Sequence, residues 1–90
     1  MNKTLIEKIE IMSKLEKDWN GYGANEFDKA TIDSAKLIAN LLTNNTFKVF
    51  PTNDSEIQFE IENDEAYLEF DVSGNSIIDF YFENKVLTKK

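Results

Sequence analysis

The sequence predicts an α+β fold: two N-terminal helices packed on one face of a four-stranded antiparallel β-meander, in the order ααββββ. Three observations carry that prediction. Apolar residues recur at helical spacing up to about residue 43, the period changes to two beyond Thr46, and the links between the period-two stretches are short and rich in turn residues. A chain of 90 residues is near the lower end of what one hydrophobic core can support, so residues 1–90 read as a single α+β domain.

The first helix is expected from about Thr4 to Asp18. Leu5, Ile9, Met12 and Leu15 fall on one helical face between Lys and Glu residues, and Thr4 followed by Glu7 has the form of a capping box. It runs into Trp19 and then Asn20, Gly21, Tyr22 and Gly23, where two glycines one residue apart offer positive φ angles and stop a helix. The second helix starts at Asp28, whose side chain can cap the free amides of the first turn, while Phe27 and Ile32 can close a hydrophobic staple around it. Ala30, Ile32, Ala35, Ile38, Ala39 and Leu42 form its core stripe. It is expected to end near Thr43, with Asn44 and Asn45 as terminators tolerant of left-handed backbone.

Phe47, Val49 and the single Pro51 read as a short edge strand, where a missing amide does little harm. Three half-buried strands follow. Ile57, Phe59 and Ile61 alternate with Gln58, Glu60 and Glu62; Leu68, Phe70 and Val72 with Tyr67, Glu69 and Asp71; Ile78, Phe80 and Phe82 with Asp79, Tyr81 and Glu83. The links Asn63-Asp64-Glu65 and Ser73-Gly74-Asn75-Ser76 are short enough to make antiparallel hairpins. Each strand has one apolar face, and only the two helices are available to cover it.

Composition excludes more than it assigns. The chain has no Cys, no His and no Arg, which removes disulfides, thiolate metal sites, the commonest general base near neutral pH and the bidentate fork that grips phosphate. An enzyme is therefore not expected, nor a cofactor. No apolar run approaches the length of a membrane span, and the N-terminus alternates charges with aliphatics unlike a signal peptide, so the expected location is the cytoplasm. The net charge of −7 is unevenly placed: residues 1–48 hold seven Lys and seven Asp or Glu, residues 49–90 three Lys and ten acids. From Val49 to Asn84 there is no basic side chain. Such a field repels nucleic acid and anionic membrane and attracts basic proteins, so neither direct nucleic-acid binding nor membrane binding is expected.

Two blocks resemble a known pattern. Trp19-Asn20-Gly21-Tyr22-Gly23-Ala24 is similar to a motif, Trp, Asp or Asn, Gly, Tyr, Gly, Ala, that lies between two helices in a family of small uncharacterised bacterial proteins. Pro51, Thr52, Asp54, Ile57, Gln58 and Glu60 match in register a second block of that family, Pro-Thr-Pro-Asp-Gly-Gly-Ile-Gln-Leu-Glu-Trp. Ser55 and Glu56 replace its glycine pair, and Ile61 its tryptophan. The resemblance spans about Trp19 to Phe82 and implies a shared fold, with no activity attached to it.

The candidate binding residues fall in two groups. Trp19 and Tyr22 either seal the open end of the sandwich or form an aromatic anchor for a partner. Glu60, Glu62, Tyr67, Glu69, Asp71, Asp79, Tyr81 and Glu83 lie on the outward face of the sheet, where Glu60 is expected beside Glu69, and Asp71 beside Asp79. That face can serve solubility alone, or dock a protein with a basic surface. The expected function is a small non-enzymatic interaction module that inhibits or neutralises a cytoplasmic protein, as antitoxins, immunity proteins and phage anti-defence proteins do. One alternative is a nucleic-acid mimic occupying a basic DNA or RNA channel; a second is a small enzyme or divalent-metal-binding protein, against which stands the lack of any loop with dense Asp and Gly spacing. Pairing through Phe47–Phe50 or Ile78–Phe82 would make a homodimer. Lys89 and Lys90 read as a solvated tail.

Overall fold

The computed structural model describes residues 3–42 and 47–88. Its elements are α1 (Lys3–Met12), α2 (Lys29–Leu41), β1 (Lys48–Pro51), β2 (Ile57–Glu62), β3 (Ala66–Ser73) and β4 (Ser76–Asn84), with one further helical turn, α3 (Lys85–Thr88), after the last strand. The strands form one antiparallel sheet in chain order, with both helices on one face, as the periodicity predicts. Asn44 and Asn45, the expected terminators of α2, and the Lys89-Lys90 tail lie outside the described residues.

The first helix is shorter than its periodicity suggests. After Met12 the bonds tighten from the α pattern, Ser13 N–H to Ile9, to the 3₁₀ pattern, Lys14 N–H to Ile11 and Leu15 N–H to Met12, and the Ser13 hydroxyl donates to the Glu10 carbonyl at 2.6 Å. Leu15 still packs against the core, and Asp18, with a φ of 66°, turns the chain into the interhelical loop. Thr4 is not a cap, because the helix already includes Lys3. Asp28 is one: its carboxylate accepts from the Thr31 amide at 2.8 Å, and Phe27 and Ile32 on either side of it are both buried in the core.

Leu5, Ile9 and Met12 from α1, Ile32, Ala35 and Ala39 from α2, and Val49, Ile57, Phe59, Phe70 and Val72 from the sheet make the core. Phe59, fully buried, stacks on Phe70 with ring centroids 5.2 Å apart. Ala35 and Ala39 are the small residues that let α2 approach closely. α1 packs on α2 and β1, and α2 on β2 and β3.

The fourth strand departs from expectation in two ways. Gly74, at a φ of 56°, begins a two-residue loop that pairs Ser73 with Ser76. Continued without interruption, that register would carry Phe80 and Phe82 to the outward face. A bulge between Asp71 and Glu69 of β3 prevents this: Asp79, with a φ of 51°, is the extra residue, and beyond it Tyr81 pairs with Glu69 and Phe82 with Leu68. Phe80 and Phe82 thus return to the helix side, whereas Ile77, opposite Val72, takes the helix-side place expected of Ile78, and Ile78 lies outward opposite Asp71. The helices nevertheless do not cover this strand. Ile77, Phe80 and Phe82 remain 55%, 65% and 55% exposed.

Candidate functional site

The pairing registers assemble the outward face in rows. Lys48, Glu60, Glu69 and Tyr81 form one row across the four strands, Phe50, Gln58, Asp71 and Ile78 a second, and Glu62, Tyr67 and Glu83 a third across the last three strands. Seven of the eight candidate residues of the sheet fall in these rows, Asp79 joins them beside Asp71, and Glu60 is directly opposite Glu69 as expected. A hydroxyl mediates between them: Tyr67 Oη lies 3.1 Å from Glu60 and 2.9 Å from Glu69, and Gln58 donates to the same Glu69 oxygen at 2.5 Å. Burial and those two carboxylates hold the Tyr67 phenol well above its ordinary range, so it remains a donor. The Tyr81 ring leans on Tyr67 at 5.9 Å.

Toward the other end of the face, Glu56, Asp71 and Asp79 each place a carboxylate oxygen within 4.8 Å of the others. Burial first, then Asp79, Glu56, Glu69 and Asp54, raise the Asp71 carboxyl above its usual value. Such a trio can share a proton or attract a hard cation, but on an open surface it does not by itself define an ion site. Asp79 stands beside Asp71 as expected, although as the bulged residue, with Ile78 directly opposite Asp71. Glu56 was legible in principle, since it continues the alternation of Gln58, Glu60 and Glu62 by one step.

The face is not wholly free of cations. Lys48 stands opposite Glu60 at the β1 edge, and Lys85 forms an ion pair with Glu62. Both flank the Val49–Asn84 segment in which no basic residue occurs, so they border the acidic surface without interrupting its centre.

Trp19 and Tyr22 part company. Trp19 is half-buried against the core, 5.8 Å from Phe27, and its indole N–H donates to the Asn25 carbonyl at 3.0 Å. Tyr22 is 91% exposed. The loop that carries it is closed on itself: the Asn20 carboxamide oxygen accepts from the amides of Tyr22 at 2.8 Å and Ala24 at 3.2 Å, the Asp18 carboxylate from Gly23 at 2.6 Å, and the Ala24 carbonyl from Asp18 N–H at 2.6 Å. Gly21 and Gly23 hold φ values of 76° and 81° in open space, so they serve backbone angle and not close approach. Asn20 also bonds Asn53 at 3.2 Å, and the Ser55 hydroxyl donates to the Asn25 carbonyl. The two blocks that carry the family resemblance thus meet at one end of the sandwich. Ser55, standing where that pattern has a glycine, holds a φ of 60°.

No family model, curated protein or solved structure matches the chain. Among the described residues no helix is long and apolar enough to cross a membrane.

Proposed function

We propose that the protein is a non-catalytic binding module of the cytoplasm that docks a basic surface of a protein partner onto the outward face of its sheet, and by doing so inhibits or neutralises that partner, in the manner of antitoxins, immunity proteins and phage anti-defence proteins. The supporting observation is the adjacency of like charges, Glu60 beside Glu69 and Asp71 beside Asp79, with the Tyr67 hydroxyl between the first pair and, among the described residues, Lys48 and Lys85 at the border. Each such pair costs the isolated fold roughly 0.2–1 kcal/mol. A cationic partner offsets that cost, and Tyr67 and Tyr81 supply the amphipathic area that interface centres favour.

The test is capture from native lysate with the wild-type chain and with a Glu60→Lys/Glu69→Lys variant, followed by identification of the captured protein and titration of the purified pair. Binding should weaken steeply between about 0.05 and 0.5 M salt and fall at least tenfold in the variant. Equal capture by both chains would remove the acidic face from the interaction. If the captured protein binds DNA or RNA and this chain displaces the nucleic acid from it, the face is acting as a phosphate mimic.

A further inference from the structure

We propose that the chain forms a twofold homodimer through β4, joining two four-stranded sheets into one. The inference rests on a surface separate from the acidic face. On the helix side of β4, Ile77, Phe80 and Phe82 are uncovered, and α2 presents Leu37 and Leu41, 62% and 74% exposed. Lys36 bonds Glu10 and so marks the flank toward α1, whereas Ser34 approaches Asn75 in the β3–β4 loop, and Leu41, two turns on from Ser34, lies near that second flank; Leu37 is nearly opposite the buried Ala35 and Ala39 and faces solvent.

Ile77, Phe80, Phe82 and Leu41 leave on the order of 500 Å² open, taking roughly 150–250 Å² for a fully exposed large side chain. That is in the upper part of the range for the largest patch on a monomer, about 300–600 Å². It is also more than half of the roughly 800 Å² per partner that a standard interface buries, before any main-chain contact is added.

The strand itself favours a second copy as the occupant. Of the two edges, β1 is four residues long, begins with Lys48 and ends with Pro51, the devices that blunt an edge. β4 has nine residues without Lys or Pro, and the bulge at Asp79 confines pairing to the stretch beginning at Phe80. A twofold axis normal to the sheet makes β4 and its copy antiparallel and keeps both apolar stripes on the same side. With strands about 4.8 Å apart, the two β3 strands lie roughly 14 Å from each other, and the phenylalanine stripes of both copies lie side by side between them. The stripe carries no charge, and in this arrangement the acids of both copies stay on the opposite, solvent-facing surface.

Light scattering and sedimentation of the full chain test this. The wild type should show twice the 10.4 kDa chain mass, and Phe80→Lys/Phe82→Lys should raise the dissociation constant at least 100-fold with an unchanged circular dichroism spectrum. Ile77→Lys/Leu41→Lys, at two exposed positions of the same patch, should do the same and serves if the first variant unfolds. Glu60→Lys/Glu69→Lys should leave the mass doubled, which separates failure of this interface from failure of the acidic one. Because two chains of −7 repel, added salt should tighten the dimer while weakening a basic partner's grip. A single-chain mass at about 100 μM, or a doubled mass that survives in folded variants of both kinds, would overturn the proposal.

Discussion

Asp28 and Asp71 are both carboxylates of one small protein, and the fold pulls their proton affinities in opposite directions. The Thr31 hydrogen bonds to Asp28 favour its charged form and lower its pKa, as the Lys36 ion pair does for Glu10. Groups of this kind stabilise the fold above their unfolded values and lose that contribution as pH falls through the folded ones. Burial and four neighbouring acids do the reverse to Asp71. Its ionised form costs stability near neutral pH, and that cost is relieved as pH falls through its raised folded pKa. Stability should therefore rise on mild acidification before the loss at Asp28 and Glu10 reverses it. Asp71→Asn should raise neutral-pH stability by roughly 0.2–1 kcal/mol and flatten the rise, read from denaturant midpoints at about pH 7 and 5. Asp28→Ala should cost about 1 kcal/mol by the same measurement.

At the scale of elements, the hairpin of β3 and β4 shows where pattern reading succeeds and where it stops. Both a longer loop without a bulge and a two-residue loop with one put Phe80 and Phe82 on the same side, so alternation cannot distinguish them. They differ only at Ile77, Ile78 and Asp79, and the choice is made by the positive φ of Gly74. Pattern did locate both helices, all four strands, the Asp28 cap and the Glu60–Glu69 pairing, because each follows from local chemistry or a fixed period. Asp79 beside Asp71 was legible in the same way, whereas its place as the bulged residue was not. The early end of α1 comes instead with the 3₁₀ bonds of Lys14 and Leu15 and the Ser13 hydroxyl on the Glu10 carbonyl, contacts that periodicity does not encode. Asp79→Asn keeps a residue tolerant of the left-handed angle while removing its charge, and should stabilise by a few tenths to about 1 kcal/mol. Combined with Asp71→Asn the gains should fall short of additive, since a double-mutant cycle counts their shared repulsion once.

For the whole molecule, the two proposed surfaces lie back to back on one sheet, so occupation of one leaves the other open. A dimer would present two acidic faces in a single plane. If partners are themselves paired, Glu60→Lys/Glu69→Lys in one subunit only should reduce capture far more than twofold, measurable with mixed dimers on an immobilised partner. The separation of charge has a further consequence. Residues 1–48 are balanced in sign, whereas residues 49–90, most of the sheet with its turns, hold the excess, so the molecule has an electric moment as well as a net charge. In the field of an approaching cation-rich body it is rotated sheet-first before touching, and a larger share of collisions begins in a productive orientation. Redistributing the same seven negative charges evenly over the surface would preserve its migration in electrophoresis yet slow its capture.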